Sequence, residues 1–212
     1  GNDDPAENAA VITYFGDGAT SQGDVNEAFV FAGSFGAAVV FFIQNNQYAI
    51  SEPIALQSKI PLYKRASGYG FPGIRVDGND PLACYAVMAE AAERARHGGG
   101  PSLIEAVTYR LGPHTTSDDP TRYRSSIEVD QWTALDPIPR YRTYLRNIGV
   151  WSQRLEDRVD SRAKRVRSEL RDATVGAADA DIDEVFTAVY AEITPELQQQ
   201  RAALRAELGR GR

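Results

Sequence analysis

Residues 16–50 read GDGATSQGDVNEAFVFAGSFGAAVVFFIQNNQYAI, and this stretch decides the fold that we predict. An apolar run at residues 9–15 leads into its Gly-Asp-Gly turn, and a second run at residues 38–43 leads into its Asn-Asn pair. Both runs are typical of buried strands. Between them lies one helix-length segment, which Thr20 or Ser21 is placed to cap. Two strands joined by one helix of this length are expected to be parallel, with a right-handed crossover.

The segment between the two strands also has the periodicity of a helix with one apolar face. The face consists of Val25, Ala28, Phe29 and Ala32. Gly33 and Gly36 follow and are expected to end the helix. The alternation then continues, with a short strand at 74–76, a helix from Asp80-Pro81 to about His97 and a strand at 102–109. This order predicts the α/β class, with a doubly wound, mainly parallel sheet.

The chain is predicted to consist of two parts that meet at about residue 126. Residues 1–126 form the predicted α/β domain, which contains a long irregular connection at 51–73 with a short helix near 62–68, and a polar loop at 110–126. Residues 127–212 form a predicted helical extension that packs on this domain and on partner subunits. Its predicted helices are 138–147, 152–173, 182–193 and 195–208.

Composition excludes several classes of protein. A net charge of −6 without a basic face gives no reason to expect nucleic acid as a partner. No apolar run approaches the roughly 20 residues that span a bilayer, so no membrane is expected. The single cysteine, Cys84, suits a reducing compartment. We expect a cytoplasmic bacterial protein, with the mitochondrial matrix as the alternative. The chain starts at Gly1 without a methionine, which suggests a processed or shortened start.

Oxygen ligands fall at the ends of the first two strands. Asp17 follows the first strand and Asn46 follows the second, and α/β sheets bind ligands at the carboxyl ends of such strands. Asp-Gly alone or Asn-Asn alone is most simply a turn, but the two together bracket one strand–helix–strand unit and indicate a site. Gly16 and Gly18 would let the backbone approach a diphosphate. Asp17, Asn46 and a nearby carbonyl, such as that of Tyr48, are ligands that Mg²⁺ prefers.

These motifs resemble those of one protein family. GDG followed by residues 19–44 and then NN is similar to the cofactor-binding motif of thiamine-diphosphate-dependent enzymes. The segment NNQYAIS resembles the alpha subunit of the decarboxylating component of 2-oxo acid dehydrogenase complexes. The segment IDEVFTAVYAEITPELQQQRAAL resembles the carboxyl-terminal part of the same subunits.

The resemblance implies a cofactor, a metal and a set of contacts. Thiamine diphosphate is the implied cofactor, and Asp17, Asn46 and the carbonyl of Tyr48 are the implied Mg²⁺ ligands. The implied cofactor contacts are Gly16, Asp17, Gly18, Ala19, Asn46, Tyr48, Ile50 and His114. Gln44 stands where some members carry a basic residue that reaches the phosphate.

A second match lies in the polar loop. TYRLGPHTTSDDPTRYRS resembles the active-site loop of the same subunits, and its double Asp is most similar to the branched-chain type. His114 takes the position of a histidine that assists acyl transfer, and it is the implied catalytic residue. Arg110, Asp118, Tyr123 and Arg124 match residues that order the loop. Thr115 and Ser125 match positions at which some relatives are phosphorylated. On composition alone, His114 would be an exposed loop residue, and His97 is expected to be structural.

The implied activity is the oxidative decarboxylation of a branched-chain 2-oxo acid with acyl transfer to lipoamide. The implied partners are a beta subunit in an alpha2-beta2 heterotetramer, the lipoyl domain of the acyltransferase component and the 2-oxo acid substrate. A pyruvate or acetoin dehydrogenase alpha subunit is the alternative within the family. A catalytically incomplete fragment with a structural role is the alternative outside it.

Overall fold

Four strands form the central sheet: β1 (Val11–Gly16), β2 (Val39–Asn45), β5 (Gly73–Asp77) and β6 (Ser102–Val107). A separate two-stranded hairpin consists of β3 (Tyr48–Ala49) and β4 (Glu52–Pro53). All pairs in the four-stranded sheet are parallel, in the order β1-β2-β6-β5. The structure is a computed structural model that describes residues 8–178 and 181–210, so the polar start at 1–7 lies outside the described residues.

The predicted strand–helix–strand unit is present. Helix α1 (Gly23–Phe35) joins β1 to β2, and the two strands pair in parallel with Val11 opposite Val39. Helix α1 ends at Gly36, which has the left-handed conformation (φ 59°) that favours glycine, as predicted. Gly33 lies inside the helix instead of ending it.

The sheet has an apolar layer on each face. On one face, Phe29 and Ala32 of α1 pack with Leu62 and Phe41 in a buried cluster. On the other face, helix α3 (Pro81–Arg96) packs against Val40, Ile104 and their neighbours. Covering helices on both faces of a parallel sheet define a doubly wound α/β fold, so the predicted fold class is confirmed.

The prediction that β1 is a buried strand is wrong for the described part of the chain. Val11 is 61% exposed and Tyr14 is 68% exposed. The reason is that β1 lies at the edge of the described sheet, where only β2 pairs with it. The apolar residues of β1 therefore indicate that the segment is a strand, but they do not indicate that it is buried.

The predicted helix caps at Thr20 and Ser21 are also wrong. A 3₁₀ helix, Asp17–Ser21, intervenes, and α1 begins after Gln22, which makes no side-chain capping bond. The Thr20 hydroxyl instead donates to the carbonyl of Asp17 at 2.7 Å. The threonine thus stabilises the turn that carries Asp17.

The long connection between β2 and β5 contains helix α2 (Ile54–Gln57) and a 3₁₀ helix, Leu62–Tyr69. The latter is the short helix predicted near 62–68.

The capped start of α3 is confirmed, since the Asp80 carboxylate accepts hydrogen bonds from the N–H groups of Leu82 and Ala83.

The carboxyl-terminal part is helical. Its helices are α4 (Ser126–Thr133), α5 (Pro137–Asn147), α6 (Gln153–Val175), α7 (Glu184–Thr187) and α8 (Pro195–Arg210). The chain divides into two compact units, residues 1–151 and 152–212. Helices α4 and α5 belong to the first, and the predicted domain division after residue 126 stays a prediction. No helix in the described part of the chain has the length and apolar character needed to cross a membrane.

The predicted helix at 182–193 is wrong, because only the four residues of α7 are helical there. Phe186 is buried, but Val185, Val189 and Tyr190 are exposed, so most of the apolar pattern does not pack against other described residues. Short helices depend on such packing. Helix α4 was not predicted.

Candidate functional site

Asp17 is the best-buried charged residue at the strand ends. It is the first residue after β1 and is only 1% exposed. Its carboxylate accepts hydrogen bonds from the backbone N–H of Asn46 at 3.3 Å and from the side-chain amide of Gln57 at 2.9 Å. The contact with Asn46 joins the carboxyl ends of β1 and β2, as the sequence predicts.

Asn46 and Tyr48 lie in the tight turn that follows β2. The Asn46 side-chain oxygen accepts from the N–H of Tyr48 at 3.2 Å, and the Asn45 side-chain oxygen accepts from the N–H of Gln47 at 3.1 Å. Gln47 has a φ of 75°, in the left-handed region that residues other than glycine rarely adopt. These two side-chain bonds hold the turn in this conformation. Asp17, Asn46 and Tyr48, the three predicted metal ligands, are therefore linked by successive contacts.

The two glycines of the GDG turn have different surroundings. A Cβ on Gly18 would lie 2.7 Å from the Cβ of Ala49, so glycine is required there for the turn to pack against β3. This packing is a reason for glycine that the sequence pattern did not indicate, and the close approach of the backbone to diphosphate stays a prediction. A Cβ on Gly16 would meet no protein atom within 4 Å, so there is open space beside it. Ala19, the next predicted contact, lies partly buried in the same 3₁₀ helix.

A buried carboxylate that the sequence argument missed supports the turn from below. Glu105 on β6 is 2% exposed. It accepts from the side-chain amide of Asn45 at 2.7 Å and from the N–H of Tyr63 at 3.0 Å. The available signal was a single acid inside the apolar strand SLIEAV, since such an acid must have partners when it is buried.

Arg110 connects the turn to the polar loop. Its guanidinium donates to the carbonyls of Tyr48 at 3.3 Å and Ile50 at 2.6 Å, and to the Tyr123 hydroxyl at 2.8 Å. Tyr123 donates in turn to the Asp118 carboxylate at 2.7 Å, and the same oxygen accepts from the backbone N–H of His114 at 2.8 Å. The His114 bond and then the Tyr123 bond lower the pKa of Asp118. A chain of hydrogen bonds therefore links the backbone of His114 to the carbonyl of Tyr48.

Arg124 holds the loop from inside. It is largely buried, and its guanidinium donates to three successive carbonyls, those of Arg110, Leu111 at 2.8 Å and Gly112 at 3.0 Å. It also lies 5.4 Å from the centre of the Tyr109 ring. The geometry agrees with the loop-ordering role that the resemblance implies.

The phenol of Tyr48 binds α4. It donates to the Glu128 carboxylate at 3.1 Å. Burial, followed by the negative charge of Glu128, raises the pKa of Tyr48 to about 12. The aromatic ring of Tyr109 lies against Tyr48 and stacks on Trp132 of α4 at 5.3 Å. Glu128 is the second residue that the sequence argument missed, and no local pattern marks it.

The two histidines differ in their surroundings. His114 is exposed in the polar loop. His97 ends α3, where its ring nitrogen lies 2.9 Å from the carbonyl of Glu93. His97 is thus explained by helix capping alone, as predicted.

The donor set at the strand ends fits a small hard cation. Asp17 supplies a carboxylate, Asn46 an amide oxygen and Tyr48 a carbonyl, which keeps a second lone pair beside its bond to Arg110. Residues 8–178 and 181–210 contain no cluster of three or more His, Cys, Asp or Glu side chains that could bind a metal.

Comparisons with known proteins agree on one family. Residues 5–185 match the model of the dehydrogenase E1 component. The chain is 67% identical, over 96% of its length, to the 3-methyl-2-oxobutanoate dehydrogenase subunit alpha of Mycobacterium tuberculosis (strain H37Rv). It is 44% identical over 89% of its length to the pyruvate dehydrogenase E1 component subunit alpha of Acholeplasma laidlawii, and 51% identical over 74% to that of Bacillus cereus.

The chain spans about half the length of the relatives that it matches. The aligned part covers 56% of the mycobacterial protein and 43% of the Bacillus cereus protein. The strand ends, the turn after β2 and the polar loop all lie within the matched residues.

Proposed function

Because the chain belongs to the dehydrogenase E1 component family, we propose that it binds the diphosphate of thiamine diphosphate through Mg²⁺ in the alpha subunit of a 2-oxo acid dehydrogenase. One observation carries the proposal: the buried carboxylate of Asp17 contacts Asn46 across the ends of β1 and β2. Both donors to this carboxylate are neutral N–H groups. A buried carboxylate with neutral partners is a favourable position for a cation.

Each residue of the site has an assigned role. Asp17, Asn46 and the carbonyl of Tyr48 would hold Mg²⁺, a cation that usually keeps water and phosphate oxygens among its ligands. The backbone at Gly16, Gly18 and Ala19 faces the diphosphate. The open space beside Gly16 supports this placement. Ile50 and His114 contact the rest of the cofactor.

The cofactor, when bound, supplies the electron sink that decarboxylation of a 2-oxo acid requires. His114 would act as a proton donor or orienting group during acyl transfer to lipoamide. The hydrogen bonds of Arg110, Asp118 and Tyr123 support this role, because they fix the backbone of His114 relative to the turn that carries the metal ligands. Partners complete the enzyme: a beta subunit in an alpha2-beta2 heterotetramer and the lipoyl domain of the acyltransferase component.

The proposed substrate is a branched-chain 2-oxo acid. The 67% identity to a 3-methyl-2-oxobutanoate dehydrogenase subunit supports this choice over pyruvate, since the pyruvate dehydrogenase subunits are 44% and 51% identical. Pyruvate dehydrogenase is therefore the second candidate. Turnover of 3-methyl-2-oxobutanoate and of pyruvate by the reconstituted complex decides between them, and faster turnover of pyruvate would contradict our choice.

Titration of thiamine diphosphate tests the site itself. We expect Mg²⁺-dependent binding by the alpha subunit together with its beta subunit, and loss of that binding in Asp17→Asn, which keeps the shape of the side chain but removes the charge. Asp24→Asn is the matched control, because Asp24 is exposed at the start of α1. Calorimetry with and without Mg²⁺ measures the binding of thiamine diphosphate to both variants. Unchanged binding in Asp17→Asn would contradict the metal assignment.

A further inference from the structure

We propose that Gln57 is a positioning residue of the metal–diphosphate site. Its amide nitrogen fixes the Asp17 carboxylate, and its amide oxygen accepts a hydrogen bond from water in the coordination shell of the cation. The inference rests on the proposed function and extends it to a residue on a different segment, helix α2.

The hydrogen-bond partners determine which way the amide of Gln57 points. Its nitrogen lies 2.9 Å from the Asp17 carboxylate and 3.2 Å from the carbonyl of Glu52. Both partners are acceptors only, so the NH₂ group must face them. A flipped amide would place oxygen against oxygen at both contacts. The nitrogen is therefore fully used in holding Asp17 and the β4 backbone.

The oxygen of the same amide is buried and has no hydrogen-bond partner in the described part of the chain. It lies beside the GDG turn, since a Cβ built on Gly18 would be 4.0 Å from it. Buried amide oxygens are nearly always hydrogen-bonded in folded proteins. Because both of its own donors are occupied, Gln57 presents a single unused acceptor at this point.

The chemistry of the expected ligand identifies the donor. Diphosphate oxygens are acceptors and would repel an amide oxygen, so the cofactor does not satisfy it directly. Mg²⁺ dehydrates reluctantly and usually retains several waters. A water polarised by the cation is a strong donor, and Gln57 offers an acceptor close to the turn that carries Asp17. The amide thus bonds a ligand of the cation on one side and its water on the other.

The backbone around Gln57 is tied to the same turn. The N–H of Ile54, the first residue of α2, donates to the carbonyl of Gln47 at 2.8 Å. Gln47 directly follows Asn46 and is held by the side chain of Asn45. Gln57 follows Asp17 by 40 positions, yet its helix is anchored to the segment that supplies Asn46, the second proposed ligand.

Two substitutions of similar size test the role in the alpha subunit assembled with its beta subunit. Gln57→Met removes both hydrogen-bonding atoms, and Gln57→Glu keeps the oxygens but replaces the donor to Asp17 with an acceptor. At saturating thiamine diphosphate, we expect the Kd for Mg²⁺ to rise by about 10- to 100-fold in both, as is typical when a partner of a metal ligand is lost. Gln22→Met, an exposed glutamine in the linker before α1, is expected to bind Mg²⁺ like the wild type.

A second measurement separates this role from a purely packing role. With Mn²⁺ in place of Mg²⁺, oxygen-17 relaxation reports the exchange of metal-bound water, which we expect to be faster in Gln57→Met than in the wild type. A Kd for Mg²⁺ in Gln57→Met equal to that of the wild type overturns the inference, and so does an unchanged water exchange rate. Either result leaves the proposed function intact. Absence of Mg²⁺-dependent cofactor binding in the wild type overturns the proposed function and this inference with it.

Discussion

At the residue scale, Tyr48 makes contacts through both its backbone carbonyl and its phenol. Its carbonyl belongs to the proposed cation site and is bound by Arg110, while its phenol lies among buried groups and donates to Glu128. One residue thus joins the turn after β2 to both the polar loop and α4. A side chain with such contacts is expected to affect stability as well as binding.

The raised pKa of Tyr48 predicts a dependence of stability on pH. The folded-state pKa is about 12, against an ordinary value of 10.0, so the folded protein retains a proton that the unfolded chain loses. The stabilisation is present below pH 10 and declines as the pH rises from 10 to 12. We expect a loss of about 2 to 3 kcal/mol over this range relative to Tyr48→Phe. Urea unfolding of the wild type and of Tyr48→Phe at each pH measures this loss. If the free energy of unfolding depended on pH in the same way in both proteins, the raised pKa of Tyr48 would be contradicted.

His114 is the residue-scale test of the proposed chemistry. Its backbone is held by Asp118, but its side chain is exposed, so His114→Ala should not disturb the diphosphate site. We expect Mg²⁺-dependent cofactor binding to be retained and acyl transfer to the lipoyl domain to be slower by roughly 10²- to 10⁴-fold. Decarboxylation with an artificial electron acceptor and the overall reaction are assayed separately. His97→Ala is the control, and full overall activity in His114→Ala would contradict the role.

At the scale of elements, a sequence pattern predicted the structure correctly where it is typical of only one kind of element. The apolar runs became β2 and β6, and the Asp-Pro start became α3 with its cap. The pattern at 182–193 was a good helix pattern, but most of its apolar face is exposed in the part of the chain that the structure describes. Helix formation there depends on tertiary contacts that a local pattern does not contain.

The same limit applies to the candidate site. Asp17 and Asn46 could be predicted because each directly follows a strand. The contacts that Gln57, Glu105 and Glu128 make could not, because these residues reach the site across 40, 60 and 80 positions. Nothing in the neighbouring sequence specifies where their side chains point.

Gly33 tests the packing of α1 against the connection between β2 and β5. Alanine inside a helix is normally more stable than glycine by about 1 kcal/mol. A Cβ on Gly33, however, would lie 2.5 Å from the carbonyl oxygen of Tyr69, which is backbone and cannot rotate away. We expect Gly33→Ala to lower the free energy of unfolding by roughly 1 to 3 kcal/mol. Urea unfolding measures the change.

Gly23→Ala is the matched control for that prediction. Gly23 lies in the first turn of the same helix, and a Cβ there meets no atom within 4 Å. We expect it to be neutral or slightly stabilising. If both variants gained stability equally, the contact between α1 and Tyr69 would not constrain the fold.

At the scale of the whole molecule, the described sheet has an open edge. Strand β1 carries the Asp17 turn at its end, yet its own apolar side chains are exposed. Phe31 and Phe35 of α1 stack on each other at the surface, also exposed. Extended apolar surface of this kind marks contact with other protein.

The position of β6 has a consequence for the order in which the site forms during folding. Strand β6 comes last among the strands of the sheet along the chain, yet it lies between β2 and β5. The β1–α1–β2 unit brings Asp17 and Asn46 together across only 29 positions, whereas Glu105 reaches Asn45 across 60. Contacts of long sequence separation form late because they close larger loops. A nascent chain that ends before β6 therefore possesses the proposed ligands but lacks the carboxylate that holds their turn, so we expect the proposed cation site to form only after β6 has joined the sheet.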